Sequence, residues 1–255
     1  MAEVEEGSAL RTEAGAGTAG ASGVRGTAGA TGPRTPAAVL WDMDGTLVDS
    51  EPYWMEAEAE LVARHGGTWT HEDALGLVGN PLEVSAAVLL EAGVRLEVPQ
   101  ILTFLVTTVA RRISEHVPWR PGALELLVAV REAGIPCALV TMSYRELAVP
   151  LVAAAPAGAF DQLVCGDDVR RGKPDPEPYL RAAQLLGVDA RDCVAVEDSP
   201  PGIASALAAG ATTLGVEAVV PVRPAPGLNR VATLAGVDVE LLRRMHGGEL
   251  VDRMP

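Results

Sequence analysis

The sequence predicts an α/β fold: a doubly wound parallel sheet with an inserted α-helical cap domain. Two observations carry that expectation. Short apolar runs recur along the chain and alternate with helix-forming segments closed by glycine or proline, the order expected of parallel strands joined by crossover helices. Between the first and second of these runs, residues 52–117 show helical periodicity and almost no strand signal, a stretch too long for a simple connection.

Residues 1–35 are rich in Gly, Ala, Thr and Ser, lack a periodic apolar face, and read as a disordered N-terminal tail. The α/β core is expected over 36–51 and 118–246, with 247–255 as a C-terminal tail. The first strand is Ala38-Val39-Leu40-Trp41, which delivers Asp42, Met43 and Asp44 onto a turn at Gly45. Inside the insertion, residues 53–64 are strong helix formers, and 82–92 and 101–113 are apolar-patterned helices. Hinges are expected at Asp49-Ser50-Glu51-Pro52 and Val117-Pro118-Trp119-Arg120-Pro121-Gly122. The core resumes with a helix over 123–133, a strand over 135–141, a helix over 144–154 stopped by Pro156, and a strand over 162–165. A helix over 177–186 ends at Gly187, a strand covers 193–197, a helix over 202–209 ends at Gly210, and a strand covers 211–216. The Pro-rich segment 219–226 reads as a surface connector, followed by a strand near 230–234 and a helix over 239–245.

Chemistry gathers at the ends of these strands, where open parallel sheets place their ligand sites. Asp42 and Asp44, two residues apart, crowd like charges on one face of an extended chain unless the backbone turns at Gly45 or a cation separates them. A hard divalent cation such as magnesium takes oxygen ligands and suits a nucleophilic Asp42 beside an acid/base Asp44. Asp-x-Asp-Gly also opens calcium loops, but the twelfth position would be Tyr53 rather than a bidentate carboxylate, and a strand precedes it. Thr141, followed by Met142-Ser143, closes the second run and offers a hydroxyl to a phosphate oxygen or to a helix cap. Lys173 lies between Gly172 and Pro174 in a rigid loop that can hold an ammonium against an anion. Glu197-Asp198 ends a further apolar strand as a second acid pair. Each has an ordinary structural reading as turn, cap or solvated acid; together, in this order, they describe a catalytic site.

Carrying these residues, the chain resembles the haloacid dehalogenase-like (HAD) phosphohydrolase superfamily, in its capped-phosphatase and β-phosphoglucomutase-like subfamily, over roughly residues 37–216. Asp42-Met43-Asp44-Gly45-Thr46 matches the first motif, Thr141 the second, Lys173 the third and Glu197-Asp198-Ser199 the fourth. The resemblance implies a Rossmann-like core whose C1 helical cap closes over the site and selects the substrate. It implies a magnesium-dependent phosphatase of small phosphomonoesters (sugar phosphate, phosphoglycolate or nucleotide type) acting through an aspartyl-phosphate on Asp42. Mg2+ would be held by Asp42, the Asp44 carbonyl and Asp198, with Glu197 ordering the metal shell, while Thr141, Lys173, Gly45 and Met142 bind phosphate. The alternative is a phosphosugar mutase of the β-phosphoglucomutase type, whose cap carries an arginine for a second phosphate where this chain has Leu82. A haloalkanoate dehalogenase would not need Asp44, and a phosphoaccepting receiver domain would be much shorter, without a cap. Glu58, Arg64, His65, Asn80 and Glu83 are the cap residues considered for specificity, although solvent is the ordinary place for any one of them.

Composition narrows the partners. A net charge of −14 without a basic run argues against nucleic acid or an anionic membrane and leaves a small phosphorylated metabolite, bound by a monomer or homodimer. With aromatics at only 4%, the core must be built from Ala, Val and Leu. Cys137, Cys165 and Cys193 are too few and too scattered for a disulfide framework or a zinc site and read as reduced core thiols. An acidic start, Met1-Ala2-Glu3-Val4-Glu5-Glu6, and the absence of a membrane-length apolar run point to a cytoplasmic protein.

Overall fold

Four consecutive apolar residues form β1 (Ala38–Trp41), and all four are fully buried, as a strand covered by helices on both faces requires. The computed structural model describes residues 32–78, 80 and 82–255, so positions 1–31 of the expected tail lie outside the described residues. After β1 come four helices without an intervening strand: α1 (Glu51–Arg64), α2 (His71–Leu75), α3 (Leu82–Glu91) and α4 (Val98–Glu115). α1 starts with Glu51 and Pro52 in its first turn and ends on Arg64, each suited to its end of the helix dipole. The short α2 depends on a reciprocal cap between Thr70 and Asp73. α4 buries Ile101, Leu105, Val109 and Ile113, spaced four apart on one face.

The chain leaves and re-enters this insertion through adjoining segments. Asp49 N–H donates to Pro118 O at 2.9 Å and Arg120 N–H to Leu47 O at 2.8 Å. The remainder alternates helix and strand: α5 (Ala123–Glu132), β2 (Cys137–Val140), α6 (Arg145–Ala154), β3 (Gln162–Val164), α7 (Glu177–Leu186), β4 (Cys193–Glu197), α8 (Pro200–Ala208), β5 (Thr212–Val216), β6 (Leu228–Val231), α9 (Val239–His246) and β7 (Asp252–Arg253).

The strands form one seven-stranded sheet in the order β3-β2-β1-β4-β5-β6-β7, and every neighbouring pair is parallel. β1 lies inside the sheet between β2 and β4, with Val39 opposite Cys137 of β2 and Ala38 opposite Cys193 of β4. The strand order reverses between β1 and β4, which opens the crevice where α/β sheets bind ligands. α4 packs against α6, so Leu105 and Val109 share a continuous apolar cluster with Leu147 and Leu151. Burial pushes the thiols of Cys137 up to about 11 and of Cys165 and Cys193 up to about 12, so they are inert core thiols.

Three expectations need revision. Residues 247–255, read as a tail, contain β7, which pairs with β6 while Val251 N–H donates to the buried Asn229 Oδ1 at 2.8 Å. A two-residue strand held by main-chain and amide contacts has no apolar run to announce it. The strand expected near 230–234 ends at Val231, before the turn that carries Gly236, and α4 begins earlier than residue 101 because Pro99 suits a first helical turn.

Gly122, at the returning hinge, has φ +81°, and a Cβ there would lie 2.3 Å from Leu234 C and Ala235 N. Both the backbone conformation and the space require glycine. Gly122→Ala is expected to destabilise the protein by more than about 1 kcal/mol, read as a lower urea midpoint at unchanged m-value.

Candidate active site

β1, β2 and β4 end side by side, and their first following residues meet in the crevice. Asp42 leaves β1 buried, and its Oδ1 accepts from Lys173 Nζ at 2.6 Å. The same ammonium donates to Glu197 Oε1 at 2.6 Å and to Val140 O at 2.9 Å, which uses all three of its protons. The Lys173 side chain is only 4% exposed. Burial alone would favour its neutral form, but Asp42 and Glu197 overturn that and hold its pKa above the ordinary lysine range.

Glu197, at the end of β4, is completely buried and anchors the turn that follows. Its Oε1 also accepts from the Tyr179 hydroxyl at 2.8 Å, while its Oε2 accepts from the N–H groups of Asp198 and Ser199 and from the Ser199 hydroxyl. Ser199 in turn caps α8 by accepting from Gly202 N–H. Thr46 donates its hydroxyl to Asp198 Oδ1 at 3.2 Å, tying the first motif to the fourth.

The Asp44 carboxylate is held from two sides. The Ser50 hydroxyl donates to Oδ1 at 2.5 Å and the Ser143 hydroxyl to Oδ2 at 2.7 Å. Thr141 accepts Ser143 N–H on its Oγ1 at 2.9 Å, which leaves its own hydroxyl proton free to donate. Met142 borders the cavity, and its sulfur accepts Lys173 N–H at 3.3 Å. Gly45 departs from its expected role in binding phosphate, because its N–H is already given to Val48 O at 2.8 Å. Its contribution is steric: with φ +85°, a Cβ there would stand 2.1 Å from Asp198 Oδ2.

Carboxylate oxygens of Asp42, Glu197 and Asp198 lie within 4.8 Å of one another. Burial, and then repulsion from Glu197, pushes Asp198 up to about 6 and Asp42 well above the carboxylate range, with Lys173 opposing both. The buried Oδ2 of Asp42 has no hydrogen-bond partner among the described residues. An orphaned oxygen among crowded carboxylates fits a hard divalent cation, which takes oxygen ligands and relieves like-charge repulsion. Because the oxygens of Glu197 are engaged by Lys173, Tyr179 and the β4–α8 turn, Asp42 and Asp198 are the side chains left to bind an ion directly.

The site opens into a cavity of about 790 Å3 shared by the sheet ends and the helical insertion. Of the five residues considered in the insertion, Glu58, Asn80 and Glu83 line it. Arg64 instead pairs with Glu60 and lies over the Phe104 ring, and His65 accepts Arg95 N–H. Sequence reasoning missed Ser50, Ser143, Thr46 and Tyr179 as partners of the site acids. Ser143 stood next to a chosen residue and Ser50 in a named hinge, so proximity was the available signal.

A buried lysine clamped between two strand-end carboxylates, on a parallel sheet with a helical insertion after β1, defines a hydrolase of the haloacid dehalogenase-like type. The chain belongs to that family, matching haloacid dehalogenase-like hydrolase over residues 36–210. It is 36% identical to hexitol phosphatase A of Escherichia coli over 197 residues, covering 75% of this chain and 87% of that protein. It is 35% identical over 178 residues to the phosphorylated carbohydrates phosphatase of Thermotoga maritima, covering 68% and 81%. Among solved structures, CbbY of Rhodobacter sphaeroides in complex with phosphate is similar, with a TM-score of 0.68, 27% identity and coverage of 78% and 95%.

Glu58 is 5% exposed, and burial pushes its carboxyl up to about 7, helped by Glu51 and opposed by the nearby Trp69 indole. Because the folded state holds this proton more tightly than the unfolded chain, stability falls as pH rises from about 4.5 to about 7. Glu58→Gln removes that penalty. At about pH 8 the variant is expected to be more stable than wild type by up to about 3 kcal/mol, with the difference vanishing near pH 4 in urea titrations.

Proposed function

We propose that the protein is a divalent-metal-dependent phosphatase of small phosphomonoesters, with Asp42 as nucleophile and Asp44 as general acid and base. The observation that carries this reading is the state of Asp42: one oxygen fixed by Lys173, the other buried and unpartnered in the cavity wall. The phosphatases among its relatives support it, as does the acidic cluster.

In this mechanism an Asp42 oxygen attacks phosphorus in line, the ester P–O bond breaks, and Asp44 gives its proton to the departing oxygen. Asp44 then takes a proton from water as that water attacks the aspartyl-phosphate, releasing phosphate and restoring Asp42. Ser50 and Ser143 aim the Asp44 carboxylate through both steps. The free hydroxyl proton of Thr141 receives a phosphoryl oxygen, with Met142 N–H, unused among the described residues, beside it, while Lys173, its protons committed to Asp42, Glu197 and Val140 O, contributes its positive charge. Asp42 and Asp198, with the Asp44 carbonyl, would hold Mg2+, which when bound neutralises charge on the transferring group. The helical insertion, residues 52–117, forms the cap that excludes water and contacts the leaving group.

A phosphosugar mutase would require a cation for a second phosphate, and the insertion places none in the lining of this cavity among the described residues. Hydrolysis is therefore favoured.

The protein should release phosphate from small phosphomonoesters over many turnovers when Mg2+ is present, and chelation should stop it. Asp42→Asn should cut the rate by at least about 1,000-fold while melting normally. Turnover that survives in that variant would remove Asp42 from the role. Asp44→Asn should slow kcat by roughly 100- to 10,000-fold, more for poor leaving groups than for p-nitrophenolate.

A further inference from the structure

The lining of the cavity is uneven in charge. Lys173 is its only basic side chain among the described residues, and Asp42 and Glu197 already engage it. The insertion faces the same space with three acids, Glu51, Glu58 and Glu83, together with Asn80 and Ser85. A second phosphate or a carboxylate on the substrate would meet these acids with no cation to offset them.

Glu58 stands apart from its neighbours. Glu83 is exposed and can be solvated, whereas Glu58 is 5% exposed and its Oε2 has no hydrogen-bond partner. The Trp69 indole N–H lies beside this shut-in oxygen and opposes the rise in the carboxyl's pKa. Glu58 nevertheless lines the cavity, and with one oxygen steadied against Trp69 its carboxyl is oriented to meet a ligand through the other. A substrate hydroxyl can use it in either protonation state, donating to the carboxylate or accepting from the carboxylic acid. An anionic group can only accept, so it is served by the acid form alone and repelled by the carboxylate. Trp54, Leu77 and Leu82 supply apolar surface for the carbon faces of such a ligand.

We propose that Glu58 is a specificity-determining residue that hydrogen-bonds a hydroxyl of an uncharged, polyhydroxylated leaving group. The enzyme thereby takes monophosphates of sugars or sugar alcohols in preference to bisphosphates and phosphorylated carboxylic acids. The inference rests on the phosphatase reading and narrows its substrate class.

The test is phosphate release by the full chain with Mg2+, from sorbitol 6-phosphate, fructose 1,6-bisphosphate, phosphoglycolate and p-nitrophenyl phosphate. Wild type should favour sorbitol 6-phosphate over the bisphosphate and phosphoglycolate by about 100-fold or more in kcat/KM. Glu58→Leu should lower kcat/KM for sorbitol 6-phosphate, chiefly through KM, by at least about 10-fold more than for p-nitrophenyl phosphate, which offers no hydroxyl. Glu58→Gln, which keeps a donor and an acceptor, should retain most of the preference. Equal losses on both substrates would make Glu58 a structural residue and overturn the proposal. Should Glu58→Leu fail to fold, the wild-type rank order decides alone. Release from phosphoglycolate or the bisphosphate at rates matching sorbitol 6-phosphate would sink the inference and leave the phosphatase standing. Release from none of the four would overturn the phosphatase reading and the inference with it.

Discussion

The ammonium of Lys173 is the constraint on which the rest of the site depends. Three carboxylates, Asp42, Glu197 and Asp198, converge where β1 and β4 end, and one buried cation answers them. Such a cluster is costly to bury and tolerable only when geometry and hydrogen bonds are nearly complete. Glu197 meets that demand through contacts to Lys173, Tyr179, Ser199 and two main-chain amides. Gly202 makes the arrangement sterically feasible, since a Cβ there would fall 1.8 Å from Glu197 Oε1. The exception is Asp42, which keeps one oxygen unspent. An incomplete network inside an otherwise complete one marks where chemistry takes precedence over stability.

Two halves of the molecule divide the work by charge. The sheet ends bring the lysine, the hydroxyls of Thr141 and Ser143, and the acids of the proposed metal site. The insertion brings Glu51, Glu58 and Glu83 to the same cavity and no cation among its described residues. With a net charge of −14, the chain would have to hold the proposed phosphate dianion through local contacts, not through its overall field. The apolar bridge from α4 to α6 ties the two halves together, and α6 begins just after Thr141-Met142-Ser143, so the insertion packs against the helix that follows the loop proposed to receive phosphate.

Much of this could be read from the residues alone. β1, β2 and β4 are runs of fully buried residues, so composition alone revealed them, and the acids stood at the ends of β1 and β4 as parallel-sheet topology requires, with the lysine in the loop between β3 and α7. The parts that escaped depend on distant contacts. Tyr179 meets Glu197 from a neighbouring helix, Thr46 meets Asp198 across the crevice, and β7 exists only because β6 offers it an edge. Gly45 shows the opposite failure, since its position was right but its N–H is consumed by the turn it makes. Glu58 sits in a helix of strong formers whose acids alternate with alanine, a pattern that hides which acid faces inward.

The position of β1 between β2 and β4 also governs the order in which the chain can be assembled. Ala38 and Val39 precede their partners Cys193 and Cys137 by about a hundred residues or more, with the whole helical insertion made in between. The insertion holds local helical contacts that form quickly, whereas β1 must wait for two long loops to close. Until β4 emerges, a bare apolar strand followed by two carboxylates has no sheet to join, and the helical segment can fold around its own core first. The residue proposed to attack phosphorus therefore follows the strand that precedes every other described strand in the chain, yet that strand finds both neighbours only when β4 is made.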